Sequence, residues 1–131
     1  MKKESKIILN IKVDVKSALP IYEQIKRAIK IAILSGKFKD GDKLTSIREM
    51  AIKLKINPNT IIKIYTQLET EGYVYSRPGL GYFIKKDKGN LDKDKYEIFK
   101  QETFDYISKV SELGYSYNEI LKIVKKYFKG V

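Results

Sequence analysis

Residues 44–84, LTSIREMAIKLKINPNTIIKIYTQLETEGYVYSRPGLGYFI, contain the signals that decide the fold. Ser46 and Glu49 form an S-x-x-E capping box, in which each side chain satisfies a backbone N–H group at a helix start. Shortly afterwards, Asn57 is a suitable N-cap and Pro58 suits a first helical position, where its missing N–H costs nothing. The stretch therefore predicts a short helix, a tight turn and a second helix.

A glycine-tipped hairpin is expected directly after the second helix, which we predict over residues 58–71. Two aromatic and β-branched runs, 73–76 and 82–84, flank the sequence RPGLG at 77–81. Proline and glycine in such a position indicate a turn between two strands. The order of short helix, turn, helix and hairpin is typical of a winged helix-turn-helix, whose second turn helix enters the major groove of DNA.

The residues before this stretch predict an extended arm and one more helix. Apolar and polar residues alternate over 7–15, which is the period of a half-buried strand. Apolar residues then recur at helical spacing from Ile21 to Ile33. Pro20 suits an early helical position and Gly36 a C-terminal stop, so the first helix is expected between them.

The residues after the hairpin predict a linker and two short helices. Residues 85–95 are charged and show no apolar period, which indicates a linker or a frayed helix start with a boundary near Asn90. Beyond it, one apolar helix face continues to Gly114. Ser116 and Glu119 then form a second capping box, so another helix is expected to begin there.

These elements predict a mostly helical α+β fold with two regions of different charge. We expect a winged helix-turn-helix domain with the extended arm over residues 1–89, followed by a small two-helix region over 90–131. Residues 1–89 hold 19 basic and 9 acidic side chains, a net charge of +10, whereas residues 90–131 hold 8 and 7. A basic excess of this size favours a polyanionic partner such as nucleic acid or an acidic membrane, bound by the first region.

The composition argues against an enzyme. The chain has no cysteine and no histidine, which excludes disulfides, thiolate or imidazole metal sites and nucleophilic machinery based on cysteine or Ser/His pairs. The carboxylates fall on separate helices at no known catalytic spacing. We therefore predict no catalytic residue, no metal site and no cofactor. The sequence shows neither a signal-peptide h-region nor a membrane span, so we expect no membrane partner and a cytoplasmic location.

The second helix of the turn has a polar face opposite its apolar stripe. Such a face usually meets only solvent, but the unpaired N–H groups at a helix start attract phosphate, and the face lacks alternating Glu/Lys pairs. Its side chains can hydrogen-bond bases or phosphates. The residues of this face are Asn59, Thr60, Lys63, Thr66, Gln67 and Thr70.

Four segments resemble the N-terminal domain of GntR-family transcription regulators. They are LTSIREMA at 44–51, NPNTI at 57–61, LETEGYV at 68–74 and GLGYFI at 79–84. The family commonly has proline where this chain has Thr45, and often has glycine where it has Lys55. The resemblance spans roughly residues 18–85 and implies a sequence-specific regulator that binds double-stranded DNA.

The resemblance also implies which residues contact DNA. The implied contacts are Ser46 and Arg48 to phosphates or a base, Asn57, Asn59, Thr60 and Lys63 in the major groove, and Arg77 and Gly79 of the wing to the backbone or minor groove. Two structural alternatives remain at this stage. Arg48 could instead pair with Asp42 or Glu49 on the protein surface, and Gly79 could serve only the backbone geometry of a hairpin.

Residues 90–131 are too few for the effector or aminotransferase-like domains of larger GntR-type proteins. A short two-helix tail resembles the YtrA-like subfamily, which implies dimerisation in repressors that are often linked to transporter operons. Packing on the first helix of the same chain is the alternative, and a small-molecule effector is possible but not indicated. The residues expected between subunits are Phe99, Tyr106, Ile107, Val124 and Phe128.

The resulting expectation is a homodimeric repressor of its own or a transporter operon that binds a pseudo-palindromic operator. An RNA-binding module is a rival because basic charge serves both nucleic acids, although the aromatic residues do not form a strand signature for base stacking. An adaptor that uses the winged fold to bind proteins is the third reading, since fold alone does not fix function.

Overall fold

The computed structural model describes residues 11–86 and 91–130. The chain divides into two compact units between Leu91 and Asp92. The N-terminal unit contains three helices and a hairpin, and the C-terminal unit is helical. The elements are α1 Ile21–Leu34, α2 Ile47–Leu54, α3 Pro58–Thr70, β1 Val74–Arg77, β2 Gly81–Ile84, α4 Leu91–Glu112 and α5 Tyr117–Lys129. The predicted fold class, mostly helical with a winged helix-turn-helix, is confirmed.

The helices of the turn begin at the residues that the sequence predicted. Ser46 is the N-cap of α2, and its hydroxyl oxygen accepts a hydrogen bond from the Glu49 backbone N–H at 3.1 Å. The other half of the predicted capping box, a bond from the Ser46 N–H to the Glu49 side chain, is not among the bonds of the described residues. Asn57 is the N-cap of α3, with Pro58 as the first helical residue. These caps satisfy orphan N–H groups, so two helices can follow each other closely.

Lys55 ends α2 in the left-handed conformation, with a φ of 56°. The Lys55 N–H donates to the Ile52 carbonyl oxygen at 3.3 Å, and the Ile56 N–H donates to the Ala51 carbonyl oxygen at 3.0 Å. Both acceptors belong to the last turn of α2. Residues other than glycine and, less often, asparagine rarely adopt this conformation, because their Cβ atom is crowded there. Glycine adopts this conformation at no steric cost, so the backbone here has the geometry that suits the glycine implied by the family resemblance.

The core of the N-terminal unit is formed by all three helices and the hairpin. Most of the α1 apolar side chains at the predicted helical spacing are buried, with Ile21 and Ala28 partly buried, and the apolar stripe of α3 is fully buried. Because α3 contacts α1, α2 and β1, its orientation is fixed by the core. The buried apolar residues are Ile25, Ile29, Ala32, Ile33, Phe38, Leu44, Met50, Ala51, Ile61, Ile64, Tyr65, Leu68, Tyr73, Val74 and Ile84.

The hairpin has the predicted tip, but β1 lies one residue later than predicted and β2 begins one residue earlier. Strands β1 and β2 pair antiparallel, with Arg77 opposite Gly81. The Leu80 N–H donates to the Arg77 carbonyl oxygen at 3.0 Å, and Gly79 has a φ of +74°. Proline followed by glycine with positive φ is the pattern of a type II turn, so Gly79 has a structural role here.

A short segment before α2 pairs with the free edge of β2, which the sequence did not predict. The N–H of Gly41 and the carbonyl of Asp42 bond to the backbone of Ile84, both at 2.8 Å. The Leu44 N–H donates to the Tyr82 carbonyl oxygen, also at 2.8 Å. These bonds pair backbone N–H and carbonyl groups at the outer edge of β2, and they connect the hairpin, which forms the wing, directly to the segment before α2.

The prediction of an N-terminal strand is wrong over residues 11–15, and its first part, residues 7–10, lies outside the described residues. Ile11 and Val13 pack partly buried against the core, as the alternation predicted. However, the backbone of Asp14 bonds to the side-chain amide of Gln24 through both its N–H and its carbonyl, each at 2.8 Å. An alternating sequence forms a strand only where its backbone can bond to a neighbouring strand. Here the backbone of Asp14 bonds to the Gln24 side chain of α1.

The C-terminal unit contains one helix that is longer than predicted. Helix α4 has 22 residues and begins at Leu91, inside the segment expected to be a linker or frayed start. Asp92 and Asp94 in its first turn stabilise a helix start through the helix dipole. The second capping box is confirmed, with Ser116 and Glu119 bonding reciprocally at 3.3 and 3.4 Å. No helix within the described ranges is long and apolar enough to cross a membrane.

Candidate nucleic-acid interface

Helix α3 presents an exposed polar face opposite its buried stripe. Asn59, Lys63 and Thr66 are exposed, while Thr60 is partly buried. Residues three, four and seven positions apart share a helix face, so the three exposed side chains form one surface. We call Asn59, Lys63 and Thr66 the open face of α3.

Asn57 serves first as a cap. Its side-chain oxygen accepts a hydrogen bond from the Asn59 N–H at 2.8 Å, and its carbonyl accepts from the Thr60 N–H at 2.9 Å. The side-chain amide nitrogen of Asn57 is exposed and can only donate. The amide nitrogen of Asn57 is therefore available to donate to a phosphate or base acceptor.

Arg48 lies exposed on the first turn of α2. No carboxylate in residues 11–86 or 91–130 forms an ion pair with it, so the surface pairing with Asp42 or Glu49 is not formed. One carboxylate oxygen of Asp42 instead accepts from the Lys39 N–H at 2.7 Å. The Arg48 guanidinium and the capping hydroxyl of Ser46 thus lie on the same exposed helix start.

Tyr22 of α1 contacts the C-terminal half of α3, which the sequence did not predict. Its hydroxyl donates to the side-chain oxygen of Gln67 and lies 3.5 Å from the Lys63 carbonyl oxygen. Further along, the Thr70 hydroxyl donates to the Thr66 carbonyl at 3.0 Å. The side-chain oxygen of Gln67 and the hydroxyl of Thr70 are therefore engaged within the protein, whereas the open face of α3 is left for a partner.

The wing carries one arginine beside two aromatic rings. The rings of Tyr75 and Phe83 stack with centroids 5.7 Å apart, as expected for directly opposed residues in a hairpin. The Arg77 guanidinium lies 5.6 Å from the Tyr75 centroid and 5.5 Å from the Phe83 centroid. Cation–π contacts of this length restrict the orientation of the guanidinium at an exposed position. Gly79 lies at the exposed tip of the same hairpin.

Two acidic residues near the end of α3 stabilise its position. The Glu69 carboxylate accepts from the N–H and hydroxyl of Ser76, at 2.8 and 2.7 Å, and so connects α3 to the wing. The Glu71 carboxylate pairs with Lys26 at 2.5 Å and Lys30 at 2.6 Å, both on α1. Burial alone would raise the pKa of Glu71, but the hydrogen bonds and charges of the two lysines hold that pKa below its ordinary value.

The contacts of Glu69 and Glu71 determine the charge that α3 presents on its open face. Glu69 and Glu71 are the acidic residues of the helix end and are directed to Ser76 and to the lysines of α1. Lys63 on the open face has no ion pair among the described residues. The N-terminal half of α3 is consequently a surface of hydrogen-bonding groups and positive charge.

The C-terminal unit exposes most of its large apolar side chains, and none of the described residues of α4 and α5 is buried. A groove of about 340 Å³ lies between the two helices. It is lined by Tyr106, Ile123, Val124, Tyr127 and Phe128. Three of these were among the predicted dimerisation residues, whereas the other two predicted ones, Phe99 and Ile107, are exposed outside the groove lining.

Comparison with known proteins gives matches along most of the chain. The family model described as bacterial regulatory proteins, gntR family, matches residues 21–84. The HTH-type transcriptional regulator YhcF of Bacillus subtilis (strain 168) is 36% identical over 114 residues, which cover 87% of this chain and 94% of YhcF. The HTH-type transcriptional repressor YtrA of the same organism is 35% identical, over 88% of this chain and 90% of YtrA.

A solved structure agrees with these sequence matches. It belongs to a GntR family transcriptional regulator from Listeria monocytogenes, which is 39% identical and has a TM-score of 0.64. The superposition covers 84% of this chain and 96% of that chain. The likeness therefore extends beyond the winged region into the helices that follow it.

Proposed function

Since the chain belongs to the GntR family of bacterial regulatory proteins, we propose that it binds a pseudo-palindromic operator as a homodimer and represses its own or a transporter operon. Membership in this family makes it a DNA-binding transcriptional regulator and not an enzyme. Its partner is double-stranded DNA, and we assign the protein to the cytoplasm, where that partner is accessible. The domains proposed are residues 1–89 for DNA binding and 90–131 for dimerisation.

The observation that carries the proposal is the open face of α3. Asn59, Lys63 and Thr66 remain exposed on a helix whose opposite side is fully buried, whereas the neighbouring Gln67 is engaged by Tyr22. A recognition helix reads base edges with its N-terminal residues. Asparagine reads adenine, and lysine reads guanine acceptors or a phosphate, so the open face has the chemistry that base readout requires.

The other proposed contacts orient α3 on the duplex. Arg48 and Ser46 at the start of α2 suit phosphates, because the guanidinium is unpaired among the described residues and the helix start adds N–H donors. Asn57 donates from its amide nitrogen, and the partly buried Thr60 supplies a hydroxyl beside it. On the wing, Arg77 and the exposed backbone of Gly79 contact the DNA backbone or minor groove.

Dimerisation is assigned to the helices after the wing. Phe99, Tyr106, Ile107 and Phe128 are exposed, and together with the partly buried Val124 they form apolar surface that one copy of α4 and α5 does not bury. Apolar surface of this extent is typical of protein–protein interfaces. A second copy of the same unit is the occupant that a symmetric dimer supplies.

Repression is supported by one relative, since YtrA of B. subtilis is described as a transcriptional repressor. A regulator that covers a promoter needs only tight and specific binding to its operator. The proposal of a transporter operon rests on the likeness of the two-helix tail to the YtrA-like subfamily.

The proposal is tested with the full-length protein and the DNA upstream of its own gene. Fluorescence anisotropy should show tighter binding to that duplex than to a scrambled duplex and to single-stranded RNA of equal length. Lys63→Ala and Asn59→Ala should change the preference between operator variants, while Lys85→Ala should weaken all sequences alike. Equal losses for all three variants on specific and scrambled DNA would contradict the assignment of α3, and preferential RNA binding would contradict the proposed partner.

A further inference from the structure

Ile62 differs from the other large apolar side chains of α3. Ile61, Ile64, Tyr65 and Leu68 are 0% exposed, whereas Ile62 is 42% exposed. Ile62 is therefore the one large aliphatic or aromatic side chain of α3 that lies outside the buried stripe. An isolated exposed isoleucine is ordinary on a protein surface, so its surroundings decide whether it has a role.

The surroundings of Ile62 are the open face of α3. Asn59 lies three residues before Ile62, and Thr66 lies four residues after it, so both share its helix face. Lys63 is its immediate neighbour in sequence. Ile62 is thus an apolar group within a set of side chains suited to hydrogen bonds, at the N-terminal half of the helix.

The major groove offers one prominent apolar group, which is the 5-methyl group of thymine. An exposed apolar side chain on a helix in the major groove can pack against this methyl group, while its polar neighbours form hydrogen bonds with other groups of the DNA. We propose that Ile62 determines operator specificity by packing against the 5-methyl group of a thymine. This inference rests on the proposed function, because it requires α3 to lie in the major groove.

The inference predicts a dependence on one methyl group. Replacing thymine by uracil in DNA removes only the 5-methyl group and leaves the base-pairing edge unchanged. Burial of one methyl-sized group is worth roughly a fourfold change in affinity. Wild-type protein should therefore bind about fourfold more weakly when the contacted thymine of one half-site is replaced by deoxyuridine.

The experiment first selects duplexes from a random pool with the full-length protein. Each thymine of the selected duplex is then replaced singly by deoxyuridine, and the affinity ratio of the thymine and uracil forms is measured for each protein. Wild-type protein should show a thymine-to-uracil affinity ratio of about four at the contacted position, and Ile62→Ala and Ile62→Ser should bring the ratio at that position close to one. Ile31→Ala is the matched control, because Ile31 is 39% exposed but lies on α1, and it should keep the wild-type ratio.

Because each ratio compares two duplexes with the same protein, a loss of folded protein or of overall affinity does not affect the reading. Uracil penalties that are the same in wild type and both Ile62 variants, or absent at every position, would overturn the inference while leaving the proposed function intact. Failure of the selection to enrich any duplex would instead contradict sequence-specific binding itself.

Discussion

The hydroxyl group of Tyr65 donates a hydrogen bond of 2.6 Å to the backbone carbonyl oxygen of Thr45. Tyr65 is fully buried in α3, its ring packs edge-on against Tyr82 of the wing, and Thr45 directly precedes the N-cap of α2. Burial, and then the charges of Glu49 and Tyr82, raise the pKa of the Tyr65 hydroxyl, so it stays a donor. The bond uses the backbone carbonyl of Thr45, which a proline at this position would also provide, so it does not depend on the Thr45 side chain.

Tyr65→Phe should lower the free energy of unfolding by about 1–1.5 kcal/mol, because it removes one buried hydrogen bond and keeps the ring. Urea denaturation of the full chain measures this change. Tyr22→Phe is the control, since the Tyr22 hydroxyl contacts an exposed side chain and its loss should cost less than about 0.5 kcal/mol. Equal stability of Tyr65→Phe and wild type would mean that the bond does not stabilise the helix-turn-helix.

Lys55→Gly should stabilise the protein by about 0.5–1 kcal/mol. The left-handed conformation costs an L-residue roughly 1–2 kcal/mol, and glycine avoids this cost but loses part of the gain to backbone entropy. Thermal unfolding should show a higher Tm. Lys53→Gly is the matched control inside α2, where glycine should destabilise by roughly 1 kcal/mol. A lower Tm for Lys55→Gly would contradict the left-handed geometry at the end of α2.

The Glu71 carboxylate should make stability depend on acid pH. Its pKa in the folded state is held below the ordinary value, so its stabilising effect is present above the unfolded pKa and is lost as pH falls through the folded one. Glu71→Gln should therefore be less stable than wild type at pH 7, and this difference should shrink toward pH 3. Urea denaturation at several pH values measures it, with Glu23→Gln on the exposed side of α1 as control. A difference that stays constant with pH would argue against the pairing with Lys26 and Lys30.

The sequence predicted the features that depend on neighbouring residues. Asn57 with Pro58, and Ser116 with Glu119, cap their helices because a cap needs only side chains and N–H groups within one turn. The same holds for the type II turn around Gly79. These local signals were sufficient to predict α3, its N-terminal start and therefore the region proposed to read DNA.

Features formed by distant residues were not predicted. The contact from Tyr22 to Gln67 joins residues 45 positions apart and engages the side-chain oxygen of Gln67. The strand-like pairing of residues 41–44 with β2 likewise depends on tertiary packing, since the same residues have the composition of a loop. Hydrophobic period leaves Ile62 outside the buried stripe that contains Ile61 and Ile64, but its actual exposure depends on whether another element packs over it, which the period does not show.

The rings of Tyr75 and Phe83 should increase DNA affinity through Arg77. Tyr75→Leu removes one of the two cation–π contacts and is expected to weaken binding roughly threefold in the wild-type background. In the Arg77→Ala background the same change should have almost no effect, and this coupling is measured by a double-mutant cycle. Leu80→Ala, at the exposed hairpin tip, serves as the control. Additive losses in the cycle would mean that the rings act independently of Arg77.

The apolar groove of the tail should hold the dimer together. Phe128 lines this groove and is 76% exposed in a single chain, so Phe128→Glu would place a charge in the proposed interface. We expect this variant to sediment as a monomer. Lys125→Glu puts the same carboxylate among the basic residues of α5 and should remain dimeric.

Dimerisation should increase the affinity for an operator with two half-sites, because binding of one subunit raises the effective concentration of the other at the second half-site. A dimer brings the second α3 to a half-site one helical turn away, about 34 Å, so the two-half-site duplex should gain roughly a hundredfold or more in affinity. Phe128→Glu should lose this gain but bind a one-half-site duplex as wild type does, because the winged domain is unchanged. Titration of both duplexes separates the two effects. A chain ending at Lys88 should behave in the same way; if that chain still sediments as a dimer and still prefers two half-sites, the interface lies in the N-terminal domain.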